Sequence, residues 1–303
     1  MNAARIAVLA ALIAGGVLAS FGIQDRQANF ASAREIWSDV LRDADQIGLQ
    51  ATRMPIDEEI DLGAKLSAQL RTWQPVDPRD SVYITAVAAS LTPKVRRTSM
   101  PYTLRVIESP QVNAFALPGG QIYVLRGMMD FLESEAELAA ILGHEIAHVD
   151  LRHCVERYQY HRILEKAGAA DLSLPIDLAR SLVVLGYNQF QELEADDEGA
   201  RLAAEAGYDP AAAEAVFSRM EARFGPTSRA AADRPAQELG QALDEALSDY
   251  FSTHPRTSDR ARRMHEFASR RFGAQSFYIG KQNYQSRIPR AKYTAPGEWK
   301  SYK

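Results

Sequence analysis

His144-Glu145-Ile146-Ala147-His148 is the stretch of this chain best suited to chemistry. Two histidines four residues apart on a helix lie on one face, so both imidazoles can reach a single metal ion. Glu145 sits about 100° round the helix from His144. From there a carboxylate can take a proton from water while the metal polarises a peptide carbonyl. That chemistry is hydrolytic, and zinc is its usual ion, one per chain.

A catalytic zinc takes three protein ligands and keeps one position open. His153 is nearby but comes nine residues after His144, with Leu151 and Cys154 around it. The metzincin pattern needs a histidine at ten with a glycine ahead of it, so that pattern fails. His153 reads instead as a polar residue at the back of the helix. Downstream, Glu192-Leu193-Glu194-Ala195-Asp196 sets two carboxylates at i and i+4. One of these can bind metal while the other orients a histidine ligand from behind.

These residues need two long helices. Ser134 and Glu137 form a capping-box pattern at the start of the first. Leu138, Ile141, Leu142, Ile146 and Val149 then trace an apolar stripe, predicting a helix to about Leu164. The second is predicted over roughly Ile176–Ala206, closed by Gly207 and Pro210. Further helices are expected over 31–53, 58–73, 80–91, 211–224 and 235–250, with a short basic one ending near Arg271. Tyr102–Glu108, Gln111–Leu117 and Gln121–Leu125 read as strands, the last two joined by a Pro118-Gly119-Gly120 turn. The sheet is expected to be small, a hairpin with a partner. The last thirty residues show no clear periodicity.

Composition is that of an ordinary globular protein, 46% hydrophobic and 24% charged, with net charge −4. From Pro255 to Lys303 there are twelve Lys/Arg against three Asp/Glu, a basic balance readable as a solvated face or an anionic-surface contact. Cys154 is the single cysteine, so no intramolecular disulfide forms. Arg5 precedes an apolar run from Ile6 to about Ile23, which reads as a secretory signal or an uncleaved membrane anchor. Export argues against a nucleic-acid partner.

With these motifs the chain resembles the HtpX and CAAX-prenyl-protease family of gluzincins, over about Leu62–Arg263. The resemblance rests on HExxH, on Glu192-x-x-Ala195-Asp196, on Asn113-Ala114-Phe115-Ala116-Leu117-Pro118-Gly119-Gly120, and on His254-Pro255 after Ser-Thr. Its nearest branch is the soluble periplasmic, BepA-like one, here without a C-terminal repeat domain. The resemblance implies a mainly helical α+β zincin fold with a small antiparallel sheet beside the active-site helix. It implies zinc on His144, His148 and Glu192, Glu145 as catalytic base, and Asp196 as the acid behind a ligand.

The resemblance also puts His254 near the site, either as a catalytic hydrogen-bond donor to the oxyanion or as a fourth ligand holding the enzyme latent. Arg260 reads either as the partner of an acid near the cleft, such as Asp196, or as a surface arginine. Asn113, Ala114, Phe115 and Ala116 are expected to bind an extended peptide substrate by strand addition. The organisation expected is a signal or anchor at 1–23, a helical part at 24–95, the peptidase core at 96–272 and a basic tail at 273–303. The function implied is endoproteolysis of unfolded or misassembled envelope proteins in the periplasm. The rival is an envelope chaperone or assembly factor with a latent zinc site.

Overall fold

A computed structural model describes residues 54–70, 78–166, 182, 186–224, 254, 260, 263, 266 and 275–302. The N-terminal apolar run and the helices expected over 31–53 and 235–250 lie outside the described residues. The chain divides into two units, residues 56–158 with 175–303 and residues 1–55 with 159–174. Nearly everything described belongs to the first. No described helix is long and apolar enough to cross a membrane.

Two helices, α1 (Ile56–Gln69) and α2 (Pro78–Leu91), precede a three-stranded sheet. Its strands are β1 (Thr103–Ile107), β2 (Ala114–Leu117) and β3 (Gln121–Leu125), in the order β1-β3-β2. The β2–β3 hairpin is antiparallel, pairing Ala116 with Ile122, and it turns where Gly119 and Gly120 take positive φ. β1 runs parallel to β3, pairing Val106 with Val124, so the sheet is mixed where a wholly antiparallel one was expected. The chain from β1 to β2 returns to the far side of β3, which leaves β1 parallel to its neighbour.

Alternation along the strands divides the core. Leu104, Val106, Ala114, Ala116, Ile122 and Val124 join the main core with Ile84, Val87 and Leu91 of α2. Ile107, Phe115, Leu117, Tyr123 and Leu125 form the other face with Leu66 of α1. The sheet is therefore covered on both sides, and β2 is its edge nearest the helices that follow.

After a short α3 (Arg126–Phe131) comes α4 (Glu135–Asp150), all sixteen residues of which are buried. Ser134 caps it by accepting from the Glu137 N–H at 3.2 Å. The expected reciprocal bond is displaced by one residue: the Glu137 carboxylate accepts from Glu133 N–H, and Arg219 holds it from outside. The predicted single helix to Leu164 is two helices. Arg152 takes φ 70°, and α5 (His153–Lys166) starts in a new direction. No glycine or proline marks this break.

The second predicted long helix is α6 (Gln189–Glu205), which starts later than its expected Ile176. Asn188 ends the preceding chain and forms a capping box with Gln191. α6 crosses α4 in backbone contact. A Cβ on Gly143 would lie 2.8 Å from the Gly199 carbonyl, and one on Gly199 would lie 2.7 Å from the His144 nitrogen. Only glycine at both positions permits this approach, one residue from the first histidine.

Beyond α7 (Ala212–Phe224), the residues expected as a basic tail are folded onto the core. β4 (Ser276–Tyr278) pairs antiparallel with β5 (Trp299–Ser301), and α8 (Lys281–Ser286) lies between them. The first free N–H groups of α4, those of Glu135 and Ala136, donate to Gly280 and Ile279 carbonyls. The buried Glu135 carboxylate accepts from Tyr83, Tyr208 and the Arg290 N–H. Arg287 pairs with Asp80 and covers the Tyr284 ring, and Arg290 covers Tyr208. Much of the basic charge in this segment thus serves internal contacts.

The Gly143–Gly199 crossing yields a direct expectation. Gly199→Ala should lower the free energy of unfolding by about 1–3 kcal/mol through overpacking, measured by urea denaturation. An unchanged urea midpoint would mean that the two helices can part at no cost.

Candidate metal centre

The α4–α6 crossing brings the separated motifs together. His144 and His148 project from α4, Glu192 from the first turn of α6 and Asp196 one turn later. His254 reaches the same point from a distant part of the chain. His144, Glu145, His148, Glu192 and His254 are all 3% exposed or less.

Four side-chain atoms converge. His144 Nε2 is 3.0 Å from His148 Nε2 and 3.2 Å from His254 Nδ1. Glu192 Oε1 is 3.0 Å from His254 Nδ1 and 3.4 Å from His148 Nε2. Ligand atoms about 2.0–2.1 Å from a tetrahedral ion sit roughly 3.3–3.4 Å from one another; these four contacts approach that value, and all four atoms lie within 4.8 Å of one another. The ring nitrogens of His144 and His148 that face away from this point have other partners. His144 Nδ1 is 3.0 Å from Asp196 Oδ1 and His148 Nδ1 is 3.0 Å from His153 Nδ1. Facing lone pairs from two imidazoles and a carboxylate make a donor set suited to a zinc-like cation.

The Glu145 carboxylate borders this group. Neither of its oxygens carries a hydrogen bond among the described residues, and Oε1 lies 3.4 Å from His254 Nε2. Burial raises its pKa, against the lowering influence of His254 and His144. An otherwise unsatisfied buried carboxylate is costly unless something in the site uses it.

The other carboxylates are compensated. Burial would raise the pKa of Glu192, but His254 and Arg260 outweigh it and hold it well below the usual range. Asp196 behaves likewise, with Arg260 as the main opposing charge. Arg260 lies 2.6 and 2.7 Å from the two Asp196 oxygens and 2.9 Å from Glu192 Oε2. The guanidinium fork spans both acids, as a bidentate donor can. Burial also keeps His148 neutral by lowering its pKa. His254 is the exception: burial opposes its charge, but Glu192 and Glu145 raise its pKa overall.

The expected peptide-binding stretch lies next to the histidines. Asn113 is buried, and its side-chain oxygen accepts from the Ala114 N–H at 2.8 Å. Ala114, Phe115 and Ala116 lie on the edge strand β2. The Ala116 carbonyl accepts from Arg157 at 3.0 Å and from the Tyr187 hydroxyl at 3.5 Å. Tyr187 in turn stacks on His148, centroids 3.6 Å apart at 10°. One aromatic ring thus separates the strand edge from the metal-donor group.

Sequence reasoning passed over Tyr187 and Arg157, and it read His153 as a polar residue at the back of the helix, whereas its Nδ1 lies against His148 Nδ1. Tyr187 carried no pattern, although the Asn188–Gln191 capping signature beside it marks the start of α6. Cys154 is buried, donates or accepts at 3.1 Å with Tyr187 Oη, and has its thiol pushed up to about 12, chiefly by burial. It plays no part in the donor group.

The sequence profile of peptidase family M48 matches residues 78–268, more than half of the chain. The chain belongs to peptidase family M48. Among its relatives is the mitochondrial metalloendopeptidase OMA1 of Schizosaccharomyces pombe, 31% identical over 194 residues, which are 62% of this chain and 52% of the relative. The OMA1 metalloendopeptidase of Arabidopsis thaliana is 33% identical over 167 residues, 52% of this chain and 30% of the relative. The beta-barrel assembly-enhancing protease of Escherichia coli K12 is 25% identical over 238 residues, 67% of this chain and 49% of the relative. The chain spans about a third to a half of the length of these M48 relatives. The family implies a metal, and the donor group described above fits one.

Arg260 is the cation that the two buried acids share. Arg260→Met should destabilise the metal-free protein by roughly 3–5 kcal/mol, because it leaves buried carboxylates uncompensated. Denaturant melts with and without zinc would check this, and the loss should be smaller when zinc is present. Equal stability of variant and parent would show that the acids find other compensation.

Proposed function

We propose that this M48 protein is a zinc-dependent endopeptidase. His144, His148 and Glu192 are the ligands, Glu145 is the catalytic base, and Asp196 with Arg260 orients the ligand set. The observation that carries this reading is the convergence of one donor atom each from His144, His148, Glu192 and His254 within 4.8 Å of one another, bordered by a buried carboxylate without a hydrogen bond. When bound, zinc supplies Lewis acidity, which acidifies water and polarises a carbonyl. Glu145 takes the proton of the attacking water and passes it to the leaving amine. Asp196 accepts from His144 Nδ1–H and so keeps that ring's Nε2 free for the metal.

His254 supplies the fourth donor of the group. We read it as holding the resting enzyme latent, the alternative to its service as an oxyanion donor. Its displacement would open the position that a peptide carbonyl needs. A substrate would lie in extended form along β2, beside Asn113, Ala114, Phe115 and Ala116, once Arg157 and Tyr187 release the Ala116 carbonyl.

For substrates we propose unfolded or misassembled envelope proteins, in keeping with a relative named as a beta-barrel assembly-enhancing protease. The apolar run before Gln24 supports export to the periplasm or tethering to its membrane by a signal or anchor. A second reading has support from one observation: the donor group is fully buried with four protein donors. On that reading the protein is an envelope chaperone or assembly factor whose zinc stays latent.

Zinc content and casein cleavage of the purified protein, Glu145→Gln and His254→Ala test these readings together. We expect about one zinc per chain in the parent and Glu145→Gln, and loss of cleavage in Glu145→Gln by at least about 100-fold. His254→Ala should cleave faster than the parent. Absence of zinc would sink the metal reading. A Glu145→Gln protein that still supports function in cells would favour the chaperone.

A further inference from the structure

His153 was expected to lie at the back of a continuous helix. Residues five apart on such a helix are separated by about 140° and do not meet. The break at Arg152 turns the chain, and His153 becomes the first residue of α5 facing back toward α4. Its Nδ1 lies 3.0 Å from His148 Nδ1, and its Nε2 lies 3.4 Å from Glu194 Oε2. His153 is 3% exposed, whereas the Glu194 side chain is 43% exposed.

Donor and acceptor arithmetic orders these groups. His148 Nε2 faces the other metal donors and must present a lone pair there. Its proton is then on Nδ1, where among the described residues the partner within hydrogen-bond reach is His153 Nδ1. His153 Nδ1 accepts, so its own proton is on Nε2, which lies 3.4 Å from the Glu194 carboxylate. Each proton position follows from the last.

We propose that His153 is a positioning residue of the metal centre, fixing the tautomer and ring orientation of His148, with Glu194 as the anion behind it. The inference rests on the assignment of His148 as a ligand. It makes the two helix ligands equivalent in design but different in chemistry. His144 is held by the buried, charge-paired Asp196, while His148 is held by a neutral imidazole whose anion stands at the surface. Glu194, which the sequence reading left without a role, connects the metal centre to solvent through His153. A histidine ligand held this way binds metal more tightly because the other tautomer and other ring rotations are suppressed.

The test uses the full chain and measures zinc affinity by competition with a chromophoric chelator. His153→Phe keeps the ring and removes the acceptor. His153→Gln supplies a carbonyl in its place. Glu194→Gln removes the charge without touching the core. Outer partners of ligating histidines are worth about 10–100-fold in metal affinity, so His153→Phe should lose about that much, His153→Gln should recover to within about threefold of the parent, and Glu194→Gln should lose about two- to fivefold.

Two further readouts separate positioning from packing. The visible absorption of the cobalt(II)-loaded protein should change in His153→Phe and return in His153→Gln, while the melting of the metal-free protein stays near that of the parent. Parent-like affinity in His153→Phe overturns the proposal. So does an equal loss in His153→Phe and His153→Gln that follows their melting temperatures, since only a structural role does that. If His153→Phe does not fold, parent-like affinity in Glu194→Gln overturns the proposal and a loss there supports it. A parent that takes up no zinc refutes the ligand assignment and this inference with it. A parent that binds zinc beside unaffected variants refutes this inference alone.

Discussion

The contact between Gly143 and Gly199 sets the distance on which the metal centre depends. Helices whose facing residues carry side chains pack with their axes about 8–10 Å apart. Here a Cβ at either glycine would collide with the other helix's backbone. The close crossing lets short-reaching groups on α4 and α6, His144 with Asp196 and His148 with Glu192, meet at 3.0 and 3.4 Å. Because His144 adjoins Gly143 directly, the helix crossing and the donor group are effectively one structural feature.

Electrostatics constrains that feature next. Glu192, Asp196 and Glu145 are all buried within one small volume. Like charges in such a volume are unfavourable unless cations oppose them. Arg260 opposes two of the acids, and His254 stands against Glu192 and Glu145. The N-terminal turn of α6 adds its own positive end near Glu192. A bound divalent ion would complete the balance, which links metal occupancy to the stability of the folded state.

The remaining elements hold the two helices in place. The sheet is buried on both faces, and its edge strand approaches His148 through Tyr187. The C-terminal strands and α8 satisfy the first free N–H groups of α4 and surround Glu135 with hydrogen-bond donors. Residues far apart in the chain thus fix both the start of α4 and, through His254 and Arg260, the surroundings of its end.

By itself the sequence determined the chemistry and the kinds of elements that carry it. HExxH on an apolar helical stripe, a second helix with acids at i and i+4, and a Pro-Gly-Gly hairpin are local patterns, set by helix and strand periods within a few residues. The expectation that His254 approaches the site came from the resemblance, while Arg260 had been open between a pairing there and the surface; the geometry places both beside Glu192. Tertiary structure alone decided what depends on contacts between distant segments. The parallel pairing of β1, the packing of the last thirty residues and the turn at Arg152 have no local signal, because each is stabilised by partners remote in the chain. His153 illustrates the difference. Its type and position were visible from the start, but its meeting with His148 depends on one backbone angle that non-local packing sets.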